Sequence, residues 1–231
     1  MSGRRFLVTG GSQGIGAAIV QAAKAAGDEV VFTGRNEDLI AQVAAATGAH
    51  GLRADVAVGD DNARTVKACE EKMGGIDVLV NNAGYGYMAE IGDVDMDAMK
   101  AMFDTNVFGM VDLTNRVVPM MKTQDGGDII NIASTSGMKG HAHGTAYSAS
   151  KWAVRGLSQC WQAELRPHDI RVICVCPSEV QTAWGGKVGR NNPNKLYASD
   201  IADAILSAIS AERRALWPEF AVFATNPWKE G

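Results

Sequence analysis

Arg5-Phe6-Leu7-Val8-Thr9-Gly10-Gly11-Ser12-Gln13-Gly14-Ile15-Gly16 opens a unit whose three parts follow one another without a gap. Arg5 to Thr9 read as a short apolar strand and the glycine-rich stretch as a tight turn. Ala17 to Ala26 read as a helix, with Ile15, Ala18, Ile19, Ala22, Ala23 and Ala26 at helical spacing. Glycines at 10, 14 and 16 permit the turn and let a ligand approach the backbone closely. The free amides at the helix N-terminus then offer a seat for a pyrophosphate. Strand, glycine turn and helix in this order form the context in which such a fingerprint carries meaning.

Outward from this unit the chain alternates. Strands are expected at 5–9, 29–33, 51–55, 76–81, 128–133, 170–176 and 219–224, and helices near 14–26, 37–47, 60–73, 95–122, 147–166 and 199–211. Alternation of this kind argues for an α/β fold, a doubly wound parallel sheet of about seven strands with helices on both faces. Val78-Leu79-Val80 and Val172-Ile173-Cys174-Val175 lack polar alternates, as strands covered on both sides should. Ligands of such sheets bind beyond the carboxyl ends of the strands. Thr9, Gly34, Asp55, Asn82, Ser134 and Pro177 each end or follow an expected strand and so gather on that edge.

At 231 residues with 46% hydrophobic content the chain suits one domain spanning 1–231. A net charge of −4 gives no electrostatic case for nucleic acid. The apolar run after Arg4-Arg5 is too short for a signal peptide, and no stretch is long enough to span a membrane. A cytoplasmic protein is expected. Cys69, Cys160, Cys174 and Cys176 lack the two-pair spacing of a zinc site and read as reduced core thiols. His141 and His143 have no evident third ligand nearby, so no metal is expected.

The chemistry concentrates at Gly144-Thr145-Ala146-Tyr147-Ser148-Ala149-Ser150-Lys151-Trp152-Ala153. One helical turn places Tyr147 and Lys151 on one face. A phenol is a poor acid or base near neutrality, and an adjacent ammonium favours its phenolate and brings it toward the useful range.

Taken together, these stretches make the chain similar to the short-chain dehydrogenase/reductase family over nearly its whole length. Thr9 to Gly16 resemble the family's cofactor loop, Asn81-Asn82-Ala83-Gly84 its second signature, and Tyr147 to Lys151 its catalytic helix. The resemblance implies a Rossmann-type fold and a four-residue site of Asn106, Ser134, Tyr147 and Lys151. It further implies a nicotinamide cofactor held by Gly10, Ser12, Gln13, Gly14, Ile15 and Gly16, by Asn82, Ala83 and Gly84, and by Tyr147 and Lys151. Asp55 and Val56 match the positions around the adenine, and Pro177, Val180 and Thr182 those beside the nicotinamide.

An acid at the end of the second strand would select the 2′-hydroxyl of NAD, whereas an arginine attracts the 2′-phosphate of NADP. The family's acidic position is Gly34 here and Arg35 follows, so the resemblance implies NADP(H), with Ser12 as a second phosphate donor. In the reducing direction Tyr147 would protonate a carbonyl oxygen and Ser134 would donate a hydrogen bond to it. Lys151 would lower the phenol's pKa and bind the ribose, and Asn106 would hold a water that relays protons to Lys151.

Ser178 stands where the family has glycine, which would strain a turn requiring positive φ. Residues 183–198 are expected to form a short mobile lid. Tyr85, Tyr87, Met138, His141, His143 and Trp184 are candidates for the pocket wall. The expected substrate is a small ketone, aldehyde or sugar, or the corresponding alcohol. Glu179 would disfavour a nearby anion. Against this, Lys187, Arg190 and Lys195 could recruit a 3-oxoacyl thioester on acyl carrier protein or CoA. A cofactor-binding regulator without turnover is a further alternative, disfavoured because all four site residues are present. Apolar residues on the helices at 95–122 and 147–166 (Met96, Met99, Met102, Phe103, Phe108, Met110, Trp152, Leu157, Trp161) point to a homo-oligomer, and the resemblance implies a dimer or tetramer.

Overall fold

The apolar runs become strands in the computed structural model, which describes residues 3–124, 126–182 and 192–228. In chain order they are β1 (Arg5–Val8), β2 (Glu29–Gly34), β3 (His50–Arg53), β4 (Val78–Asn81), β5 (Gly127–Ile132), β6 (Ile170–Pro177), β7 (Val180–Gln181), β8 (Leu196–Tyr197) and β9 (Glu219–Val222). Seven form one parallel sheet in the order β3-β2-β1-β4-β5-β6-β9. β7 and β8 pair separately, Val180 against Leu196 and Gln181 against Tyr197. The sequence did not signal that two-residue ladder.

Helices cover both faces: α1 (Gly14–Ala25), α2 (Glu37–Thr47), α3 (Gly59–Met73), α4 (Met96–Phe103), α5 (Met110–Thr123), α6 (Thr145–Leu165) and α7 (Ala198–Ser210). Alternation along each strand divides the core. Phe6 and Val8 of β1 meet Ile19 and Val20 of α1 and Ile201 and Ile205 of α7 on one side. Leu7 meets Cys69 of α3 and Leu113 and Val117 of α5 on the other. Phe6, Phe32, Leu79 and Ile130 are wholly buried, and each such side chain contributes about 1.5–3 kcal/mol. Helix ends follow local chemistry: the Asn36 side chain accepts from Leu39 N at 3.0 Å to start α2, and Gly48 at φ +71° stops it.

The single helix expected at 95–122 is interrupted. Between α4 and α5 the chain takes a wider, π-helical course over Asp104–Gly109. Here Asn106 is drawn inward to hydrogen-bond partners on two other segments, and Gly109 lies so close to Val56 O that a Cβ would stand 2.3 Å away. Hydrophobic periodicity does not register a change of this size. Of the expected lid, residues 183–191 lie outside the described residues, while Leu196 and Tyr197 are strand β8 and Ala198 begins α7. Of the apolar residues assigned to an oligomer interface, only Met96, Phe108 and Trp152 are exposed; Met102 and Met110 are buried, and Met99, Phe103, Leu157 and Trp161 pack within the chain. No helix among the described residues is long and apolar enough to cross a membrane.

Candidate active site

The strand order reverses between β1 and β4, and the crevice at that point is where sheets of this kind take ligands. Thr9 locks the two strands there. Its hydroxyl donates to Val80 O at 3.2 Å and accepts from Asn82 N and Ala83 N, both at 3.0 Å. The Asn82 amide donates to Thr9 O and Gly10 O at 2.9 and 3.2 Å, so this side chain holds the turn rather than reaching outward. Gly10 and Gly14 have φ of +62° and +55°, the left-handed region that favours glycine. At Gly16 a Cβ would lie 2.2 Å from Gly10 O and 2.5 Å from Asn82 Nδ2. Gly16 therefore lets α1 press against the turn and does not itself face the crevice.

Above this crevice lies a cavity of ≈ 490 Å³. Gly10, Ser12, Gln13, Gly14, Ile15, Arg35, Asp55, Val56, Asn82, Ala83, Gly84, Tyr147, Lys151, Pro177, Val180 and Thr182 all line it, as does Ser134. Gly16 and Asn106 do not. The cavity also takes in Thr33, Ala54, Met88 and Thr105, which no motif in the sequence marked.

The residues at one end fit a dinucleotide. No side chain caps the N-terminus of α1, whose first amides are left for an anion. At the end of β2 a Cβ on Gly34 would lie 2.5 Å from Ser12 Oγ, so the serine fills the place an acidic side chain would need. Arg35 beside it is two-thirds exposed and 3.7 Å from Asp55, a loose pairing that leaves the guanidinium available. The Asp55 carboxylate also accepts from Ala57 N at 3.0 Å within its own turn.

At the other end α6 begins with Tyr147 and Lys151 facing inward, both buried. Ser134, just after β5, accepts from Ser136 N at 3.1 Å and lies beside the Tyr147 phenol. Burial raises the phenol's pKa above its ordinary value, and the neighbouring Ser134 hydroxyl only partly opposes this. Lys151, expected to lower that pKa, stands with its Nζ 5.8 Å from the ring centroid and donates to Ile132 O at 2.8 Å. Burial instead acts on the ammonium itself, pushing it down to about 8, against the raising influence of Cys174 and Cys176.

Asn106 uses its carboxamide on the protein. Nδ2 donates to Tyr85 O at 2.9 Å and Ser150 Oγ at 3.1 Å, and Oδ1 accepts from Tyr85 N at 3.0 Å. It thus ties the wall residue Tyr85 to α6.

On the substrate side the expectations divide. Tyr85 lines the cavity; Tyr87, Met138, His141 and His143 do not, and Trp184 lies outside the described residues. Tyr87 Oη accepts from Asp95 N at 2.8 Å, a structural contact. His141 Nε2 is 3.2 Å from Ser136 Oγ, which does line the cavity. Ser178 has no positive φ, and its N–H donates to Val222 O at 2.9 Å, so serine fits that turn without strain. Glu179 and Lys195, read as opposing influences on an anionic substrate, are an ion pair at 2.8 Å. Lys187 and Arg190 lie outside the described residues.

A family model described as short chain dehydrogenase matches residues 4–193. An uncharacterized oxidoreductase of Staphylococcus saprophyticus is 37% identical over 209 residues, which cover 88% of this chain and 89% of that protein. Among solved structures, a short-chain dehydrogenase from Streptomyces avermitilis matches with a TM-score of 0.86 at 30% identity, over 96% of this chain and 89% of the other. The closed form of a serine dehydrogenase complexed with NADP+ matches with a TM-score of 0.91 at 26% identity, over 98% and 97%.

Proposed function

Because this chain belongs to the short-chain dehydrogenase family and is an oxidoreductase, we propose that it is a cytoplasmic NADPH-dependent carbonyl reductase acting on a small ketone, aldehyde or sugar. The observation that carries this reading is the convergence of two ends on one cavity. The Gly10–Gly14 turn lies at one end; Ser134, Tyr147 and Lys151 lie together at the other.

NADPH supplies, when bound, a hydride for the carbonyl carbon. The amides at the start of α1 bind its pyrophosphate, and Arg35 with Ser12 binds the 2′-phosphate, supported by the closed acidic position at Gly34. The NADP+ in the serine dehydrogenase structure is consistent with that choice. Lys151 binds the nicotinamide ribose. Tyr147 Oη delivers the proton to the substrate oxygen, and a phenol whose pKa is raised is in the protonated form that this direction requires. Ser134 donates a hydrogen bond to the same oxygen and stabilises its developing charge. Asn106 holds Tyr85 and α6 in register through its carboxamide.

A compact, uncharged substrate suits the wall formed by Tyr85, Met88 and Ser136. Lys195 is occupied by Glu179, which weighs against recruitment of a thioester carrier through that lysine. The test is NADPH oxidation followed by absorbance over a panel of short ketones, aldehydes, sugars and an acetoacetyl thioester. Turnover of a small carbonyl supports the reading. Activity confined to the thioester would replace it with the acyl-reductase reading, and cofactor binding with no turnover of any compound would favour the regulator.

A further inference from the structure

Cys174 and Cys176 lie two positions apart on β6, so both side chains leave the same face of the sheet. The neighbouring edge strand β9 brings Glu219 into register with Cys174. On this face α6 closes over the thiols through Val154 and Leu157. Two thiols and a carboxylate thereby meet, their ligand atoms all within 4.8 Å of one another. None of the three lines the cavity described above.

We propose that Cys174, Cys176 and Glu219 form a site for one thiophilic divalent cation of the zinc and cadmium class. Two sulfurs and one carboxylate oxygen suit these ions, whereas calcium and magnesium call for oxygen ligands alone. Zinc holds sulfur at about 2.3 Å and oxygen at about 2.1 Å, so atoms no more than 4.8 Å apart close on it with movements of about half an ångström each. Water completes the fourth position.

The charge also balances. The entering ion takes the place of two thiol protons, M²⁺ + 2 RSH → M(SR)₂ + 2 H⁺, with no electron transferred. The net charge of this buried region, which already holds the cations Lys151 and Arg155, is the same before and after. Arg155 is the ion's competitor. It holds Glu219 through Nε and Nη2 at 2.8 and 2.7 Å, and also donates to Gly137 O at 2.6 Å. Loading the site requires Glu219 to turn from the guanidinium to the metal, so the two changes at this pair have opposite signs.

The exposed Cys160 would capture metal by itself, so the parent protein is Cys160→Ser. Cadmium chloride is titrated into it while the thiolate-to-cadmium charge-transfer absorption and the protons released into a weakly buffered solution are followed. One ion per chain and two protons per ion are expected. Cys174→Ser combined with Cys176→Ser should remove the band. Glu219→Gln should keep the band but weaken binding about tenfold or more, whereas Arg155→Gln should tighten binding. Near-ultraviolet circular dichroism without cadmium checks each variant's folding. If the double variant is unfolded, Cys176→Ala serves in its place and should bind at least about tenfold more weakly than the parent. No band with cadmium in excess would overturn the proposal. So would a band surviving the loss of both thiols, undiminished binding by Cys176→Ala, or unchanged affinity in Glu219→Gln. These readouts do not depend on turnover, so they stand or fall separately from the reductase reading.

Discussion

The Ser134 hydroxyl lies beside the Tyr147 phenol in one cavity, the first carried just after β5 and the second in the first turns of α6, and in the proposed reduction both would donate to a single substrate oxygen. Only one of them is required to give up its proton. Tyr147→Phe keeps the ring that packs against Met102 and Ala146 and removes that proton. We expect kcat to fall by about a hundredfold to ten-thousandfold while NADPH binding, measured by fluorescence titration, stays within a factor of about three. Retention of a tenth of the wild-type kcat would show that another group supplies the acid.

The contact between Gly34 and Ser12 makes a prediction about cofactor choice that a simple charge swap would miss. NADPH should bind at least about tenfold more tightly than NADH, a difference of about 1.4 kcal/mol that one charge-assisted contact can provide. Gly34→Asp alone should weaken both cofactors, because its Cβ would meet Ser12 Oγ at 2.5 Å. Gly34→Asp with Ser12→Gly should recover NADH binding and not NADPH binding. Equal dissociation constants in the wild type would refute the assignment of Arg35.

Burial of Lys151 has a consequence for stability. An unfolded lysine keeps its proton up to about its ordinary 10.5, whereas the buried ammonium sheds it above about 8. Between those values the unfolded chain binds more protons, so folding becomes more favourable as pH rises through that window, and below it the burial penalty is fully present. The gain is at most about 3 kcal/mol. Urea unfolding of the wild type and of Lys151→Met, compared at both ends of the window, should show this gain in the wild type and its loss in the variant. Parallel pH profiles would mean that the ammonium is better solvated than its surroundings imply.

Met96, Phe108 and Trp152 remain exposed on α4, on the π-helical stretch and on α6, with Arg155 stacked 5.2 Å over the Trp152 ring. Light scattering at micromolar concentration should give the mass of two or four chains. Phe108→Asp together with Trp152→Asp should shift it toward one. A monomeric wild type would contradict the expectation of a homo-oligomer.

Much of this architecture was legible because it is written in repeating patterns. Val78-Leu79-Val80 lacks polar alternates, as a doubly covered strand should, and Gly10 could be placed on a turn because a strand and a helix flanked it, whereas Gly16 proved to lie inside α1. What escaped the sequence depends on contacts between distant segments. Asn106 is recognisable by resemblance, yet nothing local reveals that it winds its helix into a π-turn to reach Tyr85 and Ser150. The proximity of Tyr147 and Lys151 was readable from their spacing. The direction of the phenol's shift was not, because it is set by burial and by where Ile132 O draws the ammonium. Glu219 shows no relation to Cys174 in sequence; the sheet order creates it.

Gln181 joins two points of the chain that lie eleven residues apart: its Oε1 accepts from Asn192 N at 2.7 Å and its Nε2 donates to Asn192 O at 2.8 Å, beside the β7–β8 ladder. These contacts hold β7 and β8 side by side, apart from the seven-stranded sheet and next to the cavity wall at Val180 and Thr182. Doubling the length of a loop closed this way costs only about 0.6 kcal/mol. A change in the number of residues between Thr182 and Asn192 would therefore cost the fold little, and the hydrogen-bonding groups just after β5 and on α6 would keep their places.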